Sequence, residues 1–409
     1  MQANEDAMIW SFDRWDHSCD WWWPNTTAPG DHDLPATHGQ AWPRVSAARW
    51  DYLSDHPGVR WHATERLWDT KHLHVACLHE TEYFRLQRDL GFSRISHRVL
   101  RDCRQGTCRL VLLMPYEASS GHGQHASDLD ILDDWCLRWD LPRDAVWLVN
   151  GDHALICDGR RFQHVAVSAF RGWIPWSEAA PLIYDPSDSR DLFVSYNRRA
   201  RVHRDLLMTE LCQRDLLPRG LVTWHGSQQL AQNMIAMARY DLQAAAEKLQ
   251  QAGPLLLDVT DAEHNPAGDL NTQHHAQTFL SLVTETQATG ALFASEKTWR
   301  PLALGHPFIM LGSTGHMQWL RQQGYRTWSR WWDESYDQEP NLHLRISKAL
   351  DQLQQLSTLS RSQLSDMRAE MLPDLTHNQS LFRQQRASDI DTHGHATIYR
   401  VMRNIWDGF

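Results

Sequence analysis

Lysine is scarce in this sequence, and paired cysteines and long apolar runs are missing from it. Four lysines occur in 409 residues, so nearly all cationic side chains are arginines. The seven cysteines are scattered without a C-x-x-C pair, which disfavours a disulfide framework and favours a reducing compartment. No apolar run approaches the length of a membrane-spanning helix, and the N-terminal segment lacks the basic-then-apolar pattern of a secretory signal. We therefore expect a cytoplasmic protein with no membrane span.

The balance of charge is acidic, with a formal net charge of −10. A general nucleic-acid binder usually carries a basic field, so this balance disfavours that class while leaving room for a local basic cleft. The 21 tryptophans are an unusual number. They could stack on sugars or bases, or simply fill cores. Several lie in residues 1–60, a stretch with little periodicity that we predict to be an irregular arm on the N-terminal domain.

Strand and helix signals alternate along the chain, which is too long for one ordinary core. A buried strand at 109–114, an amphipathic helix at 127–139 and a strand at 145–149 indicate a first Rossmann-like domain. The polar, turn-rich segment 184–189 is the best linker. We predict an N-terminal domain at 1–186, a second domain at 187–345 and C-terminal helices at 346–409.

The most informative segment of the second domain is Phe279–Gly312. It is predicted to be a strand, an acidic loop, a short helix and a second strand, with Ser295 as the helix N-cap and Gly305 as its end. Open α/β sheets bind ligands beyond the carboxyl ends of their strands, and two carboxylates and two cations follow the first strand here. Beyond this unit, we predict a short strand at 325–328 that closes the sheet and a long helix at 341–371.

The order of acidic loop, Ser-Glu-Lys, small-residue helix, Gly-x-Pro and buried strand resembles the donor-nucleotide half of fucosyltransferase-like and exostosin-like glycosyltransferases. Two further segments, Phe193–Arg204 and Gly324–Asp337, match the same half, so the resemblance covers about 192–337. It implies an α/β, GT-B-like fold, in which two Rossmann-like domains face a cleft and the last helices cross back to the first domain. The resemblance also implies inverting transfer of the sugar.

Sugar transfer from a nucleotide donor requires that the leaving diphosphate be stabilised. Fixed arginines and lysines can neutralise this charge in place of a metal. Arg198 and Arg201 are candidates because they lie at a strand–helix junction, where backbone N–H groups also favour phosphate. Lys297 and Arg300 are the other candidates. The alternative interpretation is that the arginines form a solvated helix face.

A carboxylate that accepts both ribose hydroxyl protons is the second requirement, and Glu296 is the predicted residue. It could instead be an ordinary first-turn glutamate that supports the helix dipole. Glu285 is predicted to contact the donor, or else to be an ordinary loop acid. The complete set of predicted donor-binding residues is Asn197, Arg198, Arg201, His225, Gly226, Glu285, Ser295, Glu296, Lys297 and Arg300.

The general base that deprotonates the acceptor hydroxyl is expected on the first domain. Glu117 is the first candidate, because it lies in a Gly- and Ser-rich loop directly after a buried strand. The loop loosely resembles the Glu-Ser-Pro loop of fucosyltransferases, although the Ser-Pro is absent. Asp152 is the second candidate and Asp128 the third.

Three D-x-D sequences, at 31–33, 128–130 and 389–391, match the motif of metal-dependent sugar transferases. None of them follows a strong strand, so we interpret them as caps and turns and predict no metal. Histidines 72, 74 and 79 lie near Cys77, but no second cluster completes a zinc site. We predict no cofactor besides the nucleotide-sugar substrate, such as a GDP- or UDP-sugar.

These features predict a glycosyltransferase that moves a sugar from a nucleoside-diphosphate sugar to an acceptor hydroxyl. The acceptor could be a glycan, a small molecule, a protein or a modified nucleic-acid base. Two alternatives stay open. The chain could be a non-catalytic carbohydrate- or nucleotide-binding protein on the same fold, or a glucosyltransferase-type enzyme that modifies nucleic-acid bases.

Overall fold

The chain divides into two compact units, one formed by Met1–Gly172 with Arg386–Phe409 and the other by Trp173–Gln385. The computed structural model describes residues 7–12, 58–63, 67, 70–77, 95–114, 127–174, 191–257, 272–390 and 396–409. The domain boundary predicted at residue 186 lies outside these ranges, so the predicted domain limits stay a prediction.

Unit 1 contains a six-stranded sheet in the order β2-β1-β3-β4-β5-β6, and its described strand pairs are all parallel. The strands are β1 (Met8–Phe12), β2 (Val59–Ala63), β3 (His72–Cys77), β4 (Cys108–Met114), β5 (Val146–Asn150) and β6 (Gln163–Ala166). Two helices follow β3 and β4: α1 (His97–Arg104) and α2 (Ser127–Arg138). A parallel strand with both faces covered should read as a continuous apolar run, and every residue of β4 is buried.

The core of unit 1 follows from the alternation of side chains along β4. Leu110 and Leu112 belong to one apolar cluster, together with Val99 of α1. Val111 and Leu113 belong to a second cluster on the other face. The sheet therefore separates two hydrophobic layers, as a doubly wound α/β domain requires.

Unit 2 contains a four-stranded parallel sheet in the order β10-β9-β7-β8. Its strands are β7 (Asp191–Asn197), β8 (Gly220–Trp224), β9 (Thr278–Thr284) and β10 (Phe308–Leu311). Its helices are α3 (Val202–Gln213), α4 (Leu230–Ala236), α5 (Gln243–Ala252), α6 (Thr272–Ala276), α7 (Glu296–Leu304), α8 (His316–Gln322), α9 (Leu342–Ser357) and α10 (Arg361–Asp389). The last of these helices runs on into the C-terminal segment of unit 1.

Three elements differ from the sequence prediction. Residues 8–12 belong to the segment predicted as an irregular arm, but they form strand β1 between β2 and β3, with Met8 and Trp10 buried in the core. The predicted strand at 325–328 is wrong, because these residues form no strand and the sheet ends at β10. Tyr325 and Trp328 are buried by ring contacts instead, with centroid distances of 6.1 Å to Trp299 and 5.6 Å to Phe308. The single helix predicted at 341–371 is two helices, α9 and α10.

The last helix, α11 (Ala396–Asp407), returns to the sheet of unit 1. Ile398, Met402 and Ile405 recur at helical spacing and join the apolar cluster that contains Val111. The guanidinium of Arg109 on β4 donates to the carbonyl oxygen of Ile405, and to a second carbonyl oxygen just beyond the helix at 2.6 Å. The predicted α/β class, with two Rossmann-like parallel sheets and a C-terminal helix on the first, is confirmed.

Among the described residues, no helix combines the length and the apolar character that crossing a bilayer requires.

Candidate functional site

The candidate site lies where the strand order of unit 2 reverses. From β7 the chain moves outward to β8 and then crosses to β9 on the opposite side of β7. The connections that leave the carboxyl ends of β7 and β9 therefore run in opposite directions, and such a switch point is where open parallel sheets bind ligands. Arg198 and Arg201 follow β7, and Glu285 follows β9.

Helix α7 begins beside this switch point, and both of its predicted caps are confirmed. The Ser295 hydroxyl accepts a hydrogen bond from the Lys297 N–H at 3.3 Å. Gly305 ends the helix with φ 61° and ψ 48°, a left-handed conformation that suits glycine. The first turn of α7 is thus fixed at the edge of the sheet.

Glu285 is the residue that holds this first turn in place. Its Oε1 accepts hydrogen bonds from the Ser295 N–H at 3.0 Å, the Thr298 N–H at 3.2 Å and the Thr298 hydroxyl at 2.6 Å. Its Oε2 accepts from the Thr286 N–H at 2.9 Å and the Ser295 hydroxyl at 2.6 Å. A carboxylate offers about four lone pairs, so these five donors use its full capacity. The carboxylate occupies the anion position at the helix N-terminus that a phosphate could otherwise take.

The backbone of Glu285 is held from α3. His203 Nε2 lies 3.0 Å from the Glu285 carbonyl oxygen, and Arg204 Nη2 donates to the same oxygen at 3.3 Å. Burial and the neighbouring Arg204 lower the pKa of His203 to about 3, so the imidazole is neutral near pH 7 and donates this bond. Burial and Arg201 lower the pKa of Arg204 to about 10, which leaves the guanidinium charged.

Sequence reasoning did not place His203 or Arg204 in the site. The available signal was the apolar run Leu206–Met208 immediately after them, because it predicts a helix buried on most sides. Residues 203–212 of α3 are all buried, so the polar groups at its start face the interior.

Glu296 is the carboxylate of this site that can still accept a hydrogen bond from a ligand. Its side chain is 11% exposed, and its Oε1 lies 2.5 Å from the Lys297 ammonium. Its Oε2 accepts no hydrogen bond from any described residue. Burial acts to raise the pKa of Glu296, but the charge and hydrogen bond of Lys297 and the charge of Arg300 together hold it below its ordinary value. Glu296 is therefore an ionised acceptor with one oxygen available to a ligand.

Lys297 and Arg300 lie on one wall of a small cavity between β9 and α7. The cavity has a volume of about 30 Å³, and Tyr196 and Thr284 also line it. The Arg300 guanidinium lies over the Tyr196 ring, 5.4 Å from its centroid. This volume suits about one water molecule, so a larger ligand would have to lie outside the cavity and use its cationic wall.

Two other predicted donor-binding residues lie at the ends of neighbouring strands. The Asn197 side chain accepts from Thr284 Oγ1 at 2.6 Å and donates to Ser195 Oγ at 2.9 Å, so it ties β7 to β9. His225 follows β8, and its enclosed Nε2 has no hydrogen-bond partner in the part of the chain that the structure describes. Gly226 follows it with a φ of 87°.

Asp152 is the candidate general base whose side chain the structure describes. It is buried just beyond β5, where its Oδ1 accepts from the Ala154 N–H at 3.0 Å. Its own N–H donates to Asn150 Oδ1 at 3.0 Å, and His164 Nε2 lies 2.8 Å from the same oxygen. Glu117 and the side chain of Asp128 lie outside the described residues.

Within the described ranges, no group of three or more His, Cys, Asp or Glu side chains is arranged to hold a metal ion. Two D-x-D aspartates form ion pairs, Asp130 with Arg160 at 2.8 Å and Asp389 with Arg171 at 2.5 Å. His74, one of the histidines near Cys77, has its Nδ1 3.1 Å from Ser11 Oγ.

No protein-family model and no curated protein sequence matches this chain. Among solved structures, the chain is similar to a crystal structure of the DNA-modifying enzyme β-glucosyltransferase, determined with and without uridine diphosphoglucose. The two chains are 9% identical, with a TM-score of 0.42 over 98% of this chain and 99% of the other. The resemblance to fucosyltransferase-like and exostosin-like families stays a prediction, and the case for function depends on the chain's own residues.

Proposed function

We propose that this chain is a glycosyltransferase that uses a nucleoside-diphosphate sugar. The observation that supports it best is Glu296, a nearly buried carboxylate with an unused oxygen, beside Lys297 and Arg300 at the switch point of a parallel sheet. Such an oxygen accepts hydroxyl protons of a ribose, and the adjacent cations suit the diphosphate that the same ligand carries.

In the proposed mechanism, Glu296 binds the ribose hydroxyls. Lys297, Arg300, Arg198 and Arg201 neutralise the charge that develops on the leaving diphosphate as the glycosidic bond breaks. Four fixed cations can supply this stabilisation without a metal, and the transfer is proposed to invert the anomeric carbon. These steps follow the sequence prediction, and the cationic wall beside Glu296 supports them.

The acceptor hydroxyl has to lose a proton as it attacks. Glu117 or Asp152 is proposed as the base that takes it. The acceptor classes are those that the sequence left open: a glycan, a small molecule, a protein or a modified nucleic-acid base. We propose that the reaction needs no cofactor besides the nucleotide-sugar donor.

The first test is calorimetric titration of UDP, GDP, ADP and CMP into the wild-type protein and Glu296→Gln, with and without EDTA. We expect one diphosphate to bind at micromolar concentration, about tenfold or more weaker in the variant, and to be indifferent to EDTA. Glu247→Gln removes an exposed carboxylate from α5 and is the matched control. Equal binding to wild type and Glu296→Gln, or binding to neither, would exclude the ribose role.

The second test separates an enzyme from a binding protein. The nucleotide-sugar that matches the bound nucleotide is incubated with the wild-type protein, Glu117→Gln and Asp152→Asn. Release of the nucleoside diphosphate is measured, with water as the acceptor that takes the sugar. Turnover by the wild type that one of the two variants abolishes, while nucleotide binding persists, supports transfer and identifies the base. Tight binding without turnover by any of the three proteins would favour a non-catalytic binding protein.

A further inference from the structure

A second cavity lies in unit 1, and arginines dominate its lining. It has a volume of about 530 Å³, and its lining residues include Arg104, Arg143, Arg160 and Arg161. Asp140 is the carboxylate among them. Four arginines and one aspartate line the cavity, and two further carboxylates lie beside it: Asp130 pairs with Arg160, and Asp133 accepts from the Arg161 N–H. The volume of the cavity falls in the range of small-molecule sites.

Protein partners account for two of the four arginines. Arg143 Nη2 donates to the Cys157 carbonyl oxygen at 3.3 Å, and Arg160 Nη1 donates to Asp130 Oδ1 at 2.8 Å. The side chains of Arg104 and Arg161 make no ion pair and no hydrogen bond with any described residue.

Local structure and these partners explain the positions of three arginines but not that of Arg161. Arg104 ends α1, where a cation complements the negative end of the helix dipole. Arg143 and Arg160 lie in connecting segments, where the Cys157 carbonyl oxygen and Asp130 hold them, whereas the Arg161 side chain has no such partner among the described residues. Because like charges in one cavity repel one another, the cluster is more favourable with an anion between its members.

The cavity lies at the amino-terminal edge of the sheet of unit 1. Arg104 lies in the connection that leads into β4, and Asp140 and Arg143 lie in the connection that leads into β5. The carboxyl end of β5, which leads to Asp152, is at the opposite edge of this sheet. The cavity is therefore separate from the candidate base Asp152.

We propose that this arginine cavity binds a phosphate-bearing anion, with Arg104 and Arg161 as its direct ligands. A guanidinium presents paired N–H donors that match phosphate oxygens, and it stays charged at every physiological pH. The concave shape favours a compact ligand with two or more phosphate groups over a single exposed phosphate. The same chemistry could come from a free polyphosphate or from consecutive phosphates of a nucleic-acid strand.

The test is calorimetric titration of inorganic pyrophosphate and of a twelve-residue oligothymidylate. Both are titrated into the Lys297→Met protein, so that the proposed nucleotide site contributes little to the signal. The same titrations are made after Arg104→Gln and Arg161→Gln are added together. The control adds Arg138→Gln and Arg400→Gln, which remove the same charge from exposed positions of unit 1 outside the cavity.

We expect at least one of the two probes to bind the Lys297→Met protein. Its affinity should fall about tenfold or more when Arg104 and Arg161 are both changed, and less than about twofold in the control pair. A loss for pyrophosphate identifies a free polyphosphate as the ligand source, and a loss for the oligothymidylate alone identifies a strand. No binding of either probe, or an equal loss in the two double variants, would overturn the proposal. These outcomes leave the test of Glu296 unaffected, because that test uses another site and other variants.

Discussion

Glu285 and Thr298 are joined twice, because Oε1 of Glu285 accepts from both the N–H and the hydroxyl of Thr298, at 3.2 and 2.6 Å. The residues lie thirteen positions apart and belong to the loop after β9 and the first turn of α7. Glu296 and Lys297 lie in the same turn. The position of the candidate ligand-binding groups therefore depends on a carboxylate that is itself fully engaged.

Replacing Glu285 by glutamine should lower the free energy of unfolding by about 2–4 kcal/mol. The amide keeps the size of the side chain but removes the charge and turns one acceptor into a donor that faces N–H and O–H groups. Urea denaturation followed by tryptophan fluorescence measures the change. Glu247→Gln, on the exposed face of α5, should stay within about 0.5 kcal/mol of wild type. A normally stable Glu285→Gln protein that no longer binds nucleotide would instead favour the direct donor contact predicted from sequence.

Thr298→Val tests the hydroxyl without changing the shape of the side chain. This hydroxyl lies 2.6 Å from Glu285 Oε1 and 3.1 Å from His316 Nε2, and both partners are buried. We expect a loss of about 1–2 kcal/mol in the free energy of unfolding. Thr376→Val on α10 is the matched control, because its exposed hydroxyl donates within its own helix to the Leu372 carbonyl oxygen. An equal loss of unfolding free energy in both variants would mean that the hydrogen bond from Thr298 to Glu285 stabilises the fold no more than an exposed hydroxyl within a helix does.

Unit 2 should begin to lose stability as the pH falls below about 6.5, which is above the pH range in which most carboxylates titrate. Burial and Arg204 hold the pKa of His203 at about 3, below the ordinary value of 6.5, so the unfolded chain binds a proton that the folded chain does not. Stability from this histidine is fully present above about pH 6.5 and is lost as the pH falls toward 3. Each such histidine should contribute a slope of about 1.4 kcal/mol per pH unit below pH 6.

Urea denaturation at several values between pH 7.5 and 5.0 measures this dependence. His203→Gln should reduce the slope of the unfolding free energy against pH by the contribution of one histidine, about 1.4 kcal/mol per pH unit below pH 6. The substitution also lowers the free energy of unfolding at pH 7.5. His97→Gln removes an exposed histidine of α1 and should leave the pH dependence unchanged. A His203→Gln protein with the wild-type pH dependence would mean that His203 is not held neutral in the folded chain.

Arg109→Gln should loosen α11 from unit 1. It removes the guanidinium that donates to Ile405, and we expect a loss of about 2 kcal/mol in local stability. Hydrogen exchange of the amides at 396–407 measures this loss as faster exchange, by about thirtyfold for 2 kcal/mol. Arg400→Gln, at an exposed position of the same helix, should leave the exchange unchanged. Unchanged exchange in Arg109→Gln would mean that the apolar face of α11 suffices to hold it.

Sequence predicts the parts of this fold that are encoded locally. Ser295 and Gly305 are recognisable caps because the residue types and their spacing carry the geometry. The run at 308–311 is recognisable as a buried strand for the same reason. The segment at 325–328, Tyr-Arg-Thr-Trp, offers aromatic and β-branched residues but no continuous apolar run, and whether such a segment pairs as a strand depends on tertiary contacts rather than on local residue types. Here the segment does not pair with the outer edge of β10, and aromatic rings bury Tyr325 and Trp328 instead.

The role of Glu285 could not be read from its neighbours in sequence. A glutamate in a loop after a strand is equally suited to bind a ligand or to cap a helix. The two differ in whether donors ten and thirteen residues away, at Ser295 and Thr298, approach its oxygens. Glu296 lies next to the cation that pairs with it, so its environment was easier to anticipate.

The return of α11 to β1 and β4 has a consequence for how the chain folds as it is synthesised. The contacts that Ile398, Met402 and Ile405 make with the apolar cluster of Trp10 and Val111 form only after α11 has been made. Unit 1 therefore has to close a loop of nearly four hundred residues between β1 and α11 once that helix is translated. Until then the described residues of this cluster lack their partners on α11, which makes them a surface that a chaperone would shield.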